Sequence, residues 1–361
     1  MQRGRWLAVV AVLVVTAGCG SEAPAPESVV FERVDVPAAP AVLGRSGPDL
    51  LVGVHRDGDT VPGLLRVTPD GQVAEVPLTP STPYGRVARW WSVAGDGERV
   101  VAVGGERGGA HGNVRWSMWT GAYDGVIERK QGFSTFGGYG AGDLTGGVLA
   151  PSGPLVVGAW ESDNAAMDVA VWTVDAKHVA TRHPSAGTAL ESSREEIGFP
   201  ISAASSPDGV LIAGWHIAAG RQVPVIWHSP TGTGGWTKTA LPDSGATASA
   251  DSVRCGDTGC AVTGRVDGVV ALWRQVDGTW QRVGGMPAVA IGDKDRVVAP
   301  TEVRGGWAVA AADAGSTRIL LWRDGAWTAK EGPAEPPVDL ASLGGTVYLV
   351  AGTTLWRTAA L

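Results

Sequence analysis

Short apolar segments and polar turns alternate along most of the chain, and one such unit recurs many times. The unit contains an apolar strand that ends near a tryptophan, a tight turn and a second strand. Its clearest copy is VVALWRQVDGTWQRV, around Trp273 and Trp280. Short apolar runs between Gly- and Asp-containing turns predict β-strands, and no useful stretch has the period of an amphipathic helix. The pattern therefore predicts an all-β fold.

The tryptophan occupies an equivalent strand position in six copies, at intervals of roughly fifty residues. These positions are Trp119, Trp172, Trp227, Trp273, Trp322 and Trp356. A seventh and earlier copy, GLLRVTPDGQVAEVPL, has Arg66 in this place. An aromatic residue at one fixed position of a repeat is typical of packing between the repeats. We therefore interpret these tryptophans as core residues.

A second apolar strand precedes each of these strands and has a small residue next to its end. The penultimate residues are Val54, Gly104, Ala159, Gly214, Gly264, Ala311 and Ala351. Because glycine inside a strand often marks the close approach of another backbone, we expect the strands to converge at this level. A third apolar strand precedes the second one in every unit.

Seven units of three to four strands predict a seven-bladed β-propeller of four-stranded antiparallel blades over residues 29–361. The last copy ends after its third strand, whereas the segment VVFERVDVP, at residues 29–37, has no hairpin partner. We expect this N-terminal strand to complete the last blade and so remove an open sheet edge. Eight blades are the alternative if two units are merged. A pair of β-sandwich domains is disfavoured because no linker interrupts the chain after Val29.

The first residues have the pattern of an export signal. Arg3 and Arg5 precede the apolar run WLAVVAVLVV, which is followed by TAGC. This arrangement predicts a signal peptide over residues 1–18, too short to span a membrane. TAGC resembles the lipobox of bacterial lipoproteins, and the resemblance implies a diacylglyceryl group on Cys19; an ordinary secreted protein is the alternative. Residues 19–28 then comprise the lipidated cysteine and a polar, Pro-rich tether.

The two remaining cysteines and the charge fit an exported protein. Cys255 and Cys260 flank a turn in SVRCGDTGCAV, so we expect a disulfide across the neck of a hairpin. A metal site at these cysteines is disfavoured because no further ligands lie nearby. The formal net charge is −7 and basic runs are absent, which argues against nucleic acid as a partner.

The mature chain resembles, loosely, the exported β-propeller lipoproteins of actinobacteria. The resemblance rests on the lipobox, the repeats and a composition rich in Ala, Gly, Val and Arg with little Lys, which is typical of a high-GC genome. It implies no particular activity. The turns DGTW and DGAW resemble the Asp-box of sialidase-like propellers but lack its full Ser-x-Asp-x-Gly-x-x-Trp spacing.

No motif carries chemistry by itself, so neither a cofactor nor a metal is expected. The HExxH zinc motif, the P-loop and the G-x-S-x-G elbow are all absent from the sequence. Loops on one face of a rigid scaffold usually carry the ligand, and we expect an aromatic and charged pocket at the channel mouth. Its candidate residues are Trp160, Glu161, Asp163, Trp215, His216, Arg265, Arg86, Arg89 and Trp90.

Two interpretations of this pocket stay open. In the first, Trp160 and Trp215 form platforms for a sugar or a peptide. Glu195, Glu196 and Asp163 then bind cations or act as an acid and base pair. In the second, the two tryptophans only cap their blades and the acids are solvated.

The sequence favours a non-enzymatic lipoprotein that binds or scaffolds a partner protein or an envelope glycan. We expect a monomer, held by its lipid anchor on the extracytoplasmic face of the cell membrane. The anchor, the rigid multi-loop scaffold and the missing catalytic motif support this view. The alternative is a hydrolase or lyase that acts on glycans, with two carboxylates about 5–10 Å apart at the channel mouth.

Overall fold

The computed structural model describes residues 27–108, 113–292, 295, 297–359 and 361. The expected signal peptide, Cys19 and most of the tether lie outside these residues. In the described part the chain forms β-strands and two short helices, α1 (Pro83–Val87) and α2 (Phe133–Phe136). The predicted all-β class is confirmed. Neither of these helices is long or apolar enough to cross a membrane.

The described strands follow one another in chain order, mostly in groups of four joined by short turns. The first third contains β1 (Glu27–Ser28), β2 (Glu32–Val34), β3 (Ala39–Ser46), β4 (Asp49–His55), β5 (Pro62–Val67), β6 (Val73–Glu75), β7 (Leu78–Thr79), β8 (Arg89–Gly95), β9 (Val100–Arg107), β10 (Val114–Ala122) and β11 (Gly125–Glu128). The middle contains β12 (Ala141–Ala150), β13 (Gly153–Glu161), β14 (Met167–Val174), β15 (Ala180–Arg182), β16 (Glu196–Ser206), β17 (Gly209–Ala218), β18 (Arg221–Ser229), β19 (Thr237–Ala240), β20 (Ala248–Cys255), β21 (Cys260–Val266), β22 (Val269–Val276) and β23 (Thr279–Arg282). The last part contains β24 (Thr301–Val303), β25 (Gly306–Asp313), β26 (Ser316–Arg323), β27 (Ala326–Glu331), β28 (Pro337–Leu343), β29 (Thr346–Ala351) and β30 (Thr354–Thr358).

Consecutive strands pair antiparallel and build the sheets. Four-stranded sheets are formed by β12–β15, by β16–β19, by β20–β23 and by β28–β30 with β2. Strands β24–β27 carry β1 as a parallel strand at their outer edge. Strands β3–β6 and β8–β11 share one sheet through a parallel pair between Ser46 and Gly95, and β7 lies beside β11.

The N-terminal segment is held by the last strands of the chain. In the pairing of β2 with β30, Glu32 lies opposite Arg357 and Val34 lies opposite Leu355. Between β1 and β2, Val29 and Phe31 pack on an apolar cluster that joins the sheets of β24–β27 and β28–β30. The segment therefore binds two neighbouring sheets at once.

Apolar layers between neighbouring sheets form the core. Trp119, Trp172, Trp227 and Trp273 are each at most 1% exposed and lie in these layers. For these four tryptophans the predicted packing role is confirmed. Trp322 and Trp356, at the equivalent positions, also pack against apolar clusters but are only partly buried. The ring of Trp322 is covered on one face by Arg274, whose Cζ lies 4.4 Å from the ring centroid.

Cys255 and Cys260 form the predicted disulfide, with an S–S distance of 2.00 Å. The two residues lie opposite each other in the pairing of β20 with β21. The bond therefore closes the neck of the hairpin. The Glu302 carboxylate also accepts hydrogen bonds from the N–H groups of Asp257 and Thr258 in the turn.

Replacing Trp273 with alanine is expected to lower the free energy of unfolding by about 3–5 kcal/mol, because a fully buried indole leaves a cavity behind. Trp322→Ala is the matched control. Since Trp322 is partly exposed, its loss should cost about half as much. Guanidinium chloride unfolding followed by circular dichroism measures both variants, and equal losses would contradict the difference in burial.

Candidate functional site

A cavity of about 1250 Å³ lies between the first strands of successive groups of four. Its wall consists mainly of residues from β3, β8, β12, β16 and β20, with Asp339 from β28. Strand β24 is short, and there Val297 and Ala299, which precede it, form the wall. The first strands therefore line a common channel.

A β-bulge recurs along the first strands. In β3, β8, β12, β16, β20 and β28 the pairing with the second strand skips one residue, and β12 has a further register shift between Ala141 and Leu144. The skipped residues are Ala41, Trp91, Thr145, Ile201, Asp251 and Val338. A bulge bends its strand and re-aims a side chain. Four of the skipped residues line the cavity: Trp91, Thr145, Ile201 and Asp251. The bulges therefore determine many of the side chains that face the channel.

Glycines in the second strands make room for the bulged strands. A Cβ atom on Gly214 would lie 2.1 Å from the carbonyl oxygen of Phe199. A Cβ atom on Gly264 would lie 1.9 Å from the carbonyl oxygen of Ser249. The backbones thus converge at the level that the small penultimate residues predicted.

The wall presents apolar and aromatic side chains to the channel. Trp91 and Ile201 are each 42% exposed, although both line a cavity. Trp91 contacts Trp116 edge to face, with ring centroids 5.0 Å apart. Trp215 stacks on Phe199 at 4.0 Å, which fixes the indole in the wall. Exposed apolar surface in a concave wall is typical of a ligand site.

Arg265 and Asp251 form an ion pair in the wall. The Nε atom of Arg265 lies 3.0 Å from a carboxylate oxygen of Asp251. The two terminal nitrogens of Arg265 each donate a hydrogen bond of 3.0 Å, to the carbonyl oxygens of Gly292 and Asp295. Arg265 therefore neutralises Asp251 and also holds the backbone of Gly292 and Asp295.

Arg254 extends from β20 to two other first strands. Its guanidinium donates to the Asp339 carboxylate at 3.2 Å, to the Leu43 carbonyl at 3.3 Å and to the Leu340 carbonyl. The same carboxylate accepts the backbone N–H of Leu43 at 2.7 Å. This ionic bridge ties β20 to β3 and β28. Among the described residues two carboxylates line the cavity, those of Asp251 and Asp339, and each is paired with arginine.

Trp90, Arg89 and His55 line the cavity where β8 begins and β4 ends. Trp90 is 4% exposed, and its indole N–H donates to the carbonyl of Gly63 at 2.7 Å, so it belongs to the core. The Nε2 atom of His55 accepts the backbone N–H of Trp90 at 2.9 Å. Burial lowers the pKa of His55, and the charge of Arg89 lowers it further. Arg89 itself is exposed and pairs with Glu106 at 3.0 Å.

The remaining predicted binding residues do not line the cavity; they are Trp160, Glu161, Asp163, His216 and Arg86. Trp160 packs edge to face on Trp172 at 6.1 Å, and the guanidinium of Arg182 lies 4.9 Å from its ring centroid. Glu161 and Asp163 are exposed near the end of β13, and Arg86 is exposed on α1. The structure therefore brings Trp215, Arg265, Arg89 and Trp90 together in one wall and leaves the others outside it.

His216 and Glu196 belong to a separate cluster with Lys238. A carboxylate oxygen of Glu196 lies 2.5 Å from Nδ1 of His216, without hydrogen-bond alignment, and also contacts the Lys238 ammonium. Burial lowers the pKa of His216, Glu196 opposes this shift, and Lys238 adds to it. Glu195 and Asp163 are exposed. None of these three acids lines the channel.

Sequence reasoning missed Trp91, Ile201, Asp251 and Arg254 as wall residues. A signal was present in the small residues of the second strands, since Gly214 marks the level at which Ile201 is skipped. In the part of the chain that the structure describes, no group of three or more His, Cys, Asp and Glu could hold a metal ion.

Replacing Arg254 with methionine is expected to lower the free energy of unfolding by about 3 kcal/mol, because Asp339 then stays buried without a cation. The exposed pair of Arg45 and Asp257, at 2.8 Å, also joins residues far apart in the sequence and provides the control. Arg45→Met should cost less than about 1 kcal/mol. Chemical denaturation measures both variants, and similar small losses would mean that water solvates Asp339 in the channel.

Acidification is expected to weaken the fold through His55. Its folded pKa is lowered, so the unfolded state takes up the proton first. The stability that neutral His55 contributes is therefore present above its unfolded pKa of about 6.5 and is lost as the pH falls below that value. His55→Gln keeps a hydrogen-bond acceptor for Trp90 and should flatten this part of the stability curve. Identical pH profiles for the two proteins, measured by urea unfolding, would rule out this contribution.

Comparison with known proteins supports the fold and leaves the ligand open. No family model matches the chain, and no curated protein matches it. The extracellular domain assigned to a one-component system of B. thetaiotaomicron is similar, with a TM-score of 0.53 and 8% identity; the match covers 91% of this chain and 40% of that one. YCF48 bound to D1 peptide also has a TM-score of 0.53, with 11% identity, and the match covers 92% of this chain and 98% of that one. At these identities the likeness concerns the fold, which is β-propeller-like.

Proposed function

We propose that the chain is a non-catalytic binding protein that acts outside the cytoplasm. Its ligand, a segment of a partner protein or an envelope glycan, binds at the channel. One observation carries this proposal: Trp91, Ile201 and Trp215 present apolar surface in a concave wall, and the two carboxylates that the described residues contribute to this wall are already paired with arginine. Such a wall binds by contact area and a few polar groups, and it needs no proton transfer.

The architecture that we propose is a ring of seven blades closed by the N-terminal strand. The nine-stranded sheet divides into β3–β6 and β8–β11, since a single residue pair, Ser46 and Gly95, joins the two groups. With that division every group has four strands in the same order, and β2 serves as the fourth strand beside β30. These pairings support a count of seven blades and a ring closed by the N-terminal strand.

The location that we propose is the extracytoplasmic face of the cell membrane, with a lipid anchor on Cys19. The TAGC sequence supports the anchor, and a diacylglyceryl group would supply the two chains that stable attachment needs. The disulfide between Cys255 and Cys260 fits an oxidising compartment. The similarity to an extracellular domain is consistent with this location.

Binding has better support than glycan hydrolysis or cleavage by a lyase. Either reaction would need acids that are free to exchange protons in one pocket. Asp251 and Asp339 are instead engaged by arginines, and Glu196 is engaged by Lys238 outside the channel. A protein of similar fold, YCF48, has been solved with a bound peptide, which favours a peptide segment as the ligand here.

Replacing both Trp91 and Trp215 with alanine is expected to weaken ligand binding by at least about tenfold, because aromatic anchors in a pocket supply much of the binding free energy. Affinity capture from cell-envelope extract, analysed for proteins and glycans, compares the double variant with wild type. Val179→Ser changes an exposed apolar residue outside the cavity and is the control.

A ligand retained by wild type and Val179→Ser but lost by the double variant supports the channel site. Equal retention by all three proteins would place binding elsewhere. A glycan of the extract that is cleaved rather than captured would favour the hydrolase or lyase. Circular dichroism of the double variant checks that the loss does not come from unfolding.

A further inference from the structure

The exposed aromatic side chains of the described residues are concentrated in one region. They are Tyr84, Trp91, Phe133 and Tyr139. Phe133 is 71% exposed and Tyr84 is 48% exposed. Tyr84 belongs to α1 and Phe133 to α2, the helices before and after strands β8–β11. A cluster of exposed apolar groups on an otherwise ordinary surface marks an interaction site.

Arg115 lies beside two of these rings, Tyr84 and Phe133. Its guanidinium carbon lies 5.8 Å from the ring centroid of Tyr84 and 5.5 Å from that of Phe133. The next residue, Trp116, contacts Trp91, which lines the channel. We call Tyr84, Trp91, Arg115, Trp116 and Phe133 the aromatic rim. Its ring contacts form two groups, Trp91 with Trp116 and Arg115 with Tyr84 and Phe133, and the backbone of β10 connects them where Arg115 is followed by Trp116.

The cations near the rim lack acidic partners. Arg86 on α1, Arg115 and Lys130 form no ion pair with any residue in the described ranges. The Nε atom of Arg115 is buried and has no hydrogen-bond acceptor there. Glu128, the acid beneath α1, is already engaged, because its carboxylate accepts from the N–H and the hydroxyl of Thr82. These cations are therefore available to an acidic ligand.

The sequence around the rim is basic although the chain is acidic. Residues 84–139 contain seven Lys and Arg but five Asp and Glu, whereas the whole chain has a formal net charge of −7. A basic area on an acidic protein attracts and orients a negatively charged partner. An uncharged glycan would gain little from unpaired cations, so the rim favours a peptide.

We propose that the aromatic rim docks an acidic peptide segment of the partner protein, which continues into the channel at Trp91. Carboxylates of the segment bind Arg86, Arg115 and Lys130, and its apolar side chains lie against Tyr84 and Phe133. The inference rests on the proposed binding function. It adds the chemistry of the ligand and a second part of the site, outside the channel.

Fluorescence anisotropy with two labelled peptides tests the charge requirement. One peptide alternates Glu with Phe and Tyr, and the other has Gln in place of every Glu. At low salt the full chain should bind the Glu peptide at least about tenfold more tightly than the Gln peptide, and added salt should reduce the difference. Equal binding of the two peptides would overturn the proposal.

A matched set of variants tests whether the peptide binds at the rim. The double variant Arg86→Gln/Lys130→Gln changes exposed side chains only, so the fold should survive, and it should lose most of the preference for Glu. Phe133→Ser should weaken the binding of both peptides. Arg304→Gln, an exposed cation in the turn between β24 and β25, is the charge control and should behave as wild type. A preference that persists in the double variant would show that the rim is not the docking surface.

Vesicles of anionic phospholipid are the third probe. In one outcome wild type binds these vesicles, the double variant does not bind them, and wild type shows no preference for the Glu peptide. This result would assign the rim to a membrane surface and refute the proposal that it docks a peptide. The envelope extract separates this failure from failure of the proposed function. Suppose that Trp215→Ala no longer captures a ligand of the extract, whereas Arg86→Gln/Lys130→Gln still captures it. The ligand then binds in the channel, and the rim is not part of its binding site.

Discussion

Each sheet of this protein buries apolar side chains against its neighbours, and the rest of the structure depends on that packing. The layers around Trp172, Trp227 and Trp273 each combine residues of two successive sheets. A sheet that is covered on both faces keeps only its edges and its strand ends for contact with solvent. The first strands therefore meet around a channel, and function is left to a few side chains at the bulges and in the connecting segments.

The strands could be predicted from the sequence because the patterns that indicate a strand are local. Alternating apolar positions, Gly- and Asp-containing turns and the repeated tryptophan each act over a few residues, and the cysteine spacing predicted the disulfide in the same way. Much of the channel wall could not be predicted in this way. Side chains of a strand alternate between its two faces, so one skipped residue moves all the following side chains to the opposite face. Trp90 and Trp91 are neighbours in sequence and both line the cavity, yet Trp90 is only 4% exposed and belongs to the core, whereas Trp91 is 42% exposed.

Charge pairing could not be read from the sequence for a different reason. Arg254 and Asp339 are 85 positions apart, and Glu196 and Lys238 are 42 positions apart. Their meeting depends on how the sheets are arranged around the channel, which no local pattern encodes. Arg265 was predicted from its place at a strand end, but its neutralising partner Asp251 depends on a bulge. The sequence therefore predicted some of the wall residues but not the ion pairs that neutralise the charges in the wall.

The pairing of β2 with β30 has a consequence for how the polypeptide is made. Glu32 and Arg357, which pair there, are separated by 325 positions, so a chain that emerges N-terminus first must be extended as far as residue 357 before the two strands can meet. Closing so long a loop costs little more free energy than closing one of half the length, but contacts of large sequence separation form slowly. Until then the outer edge of β30 stays open to strand pairing with other molecules. A newly made chain is thus most exposed to aggregation at the last step of its folding, after most of its core is already in place.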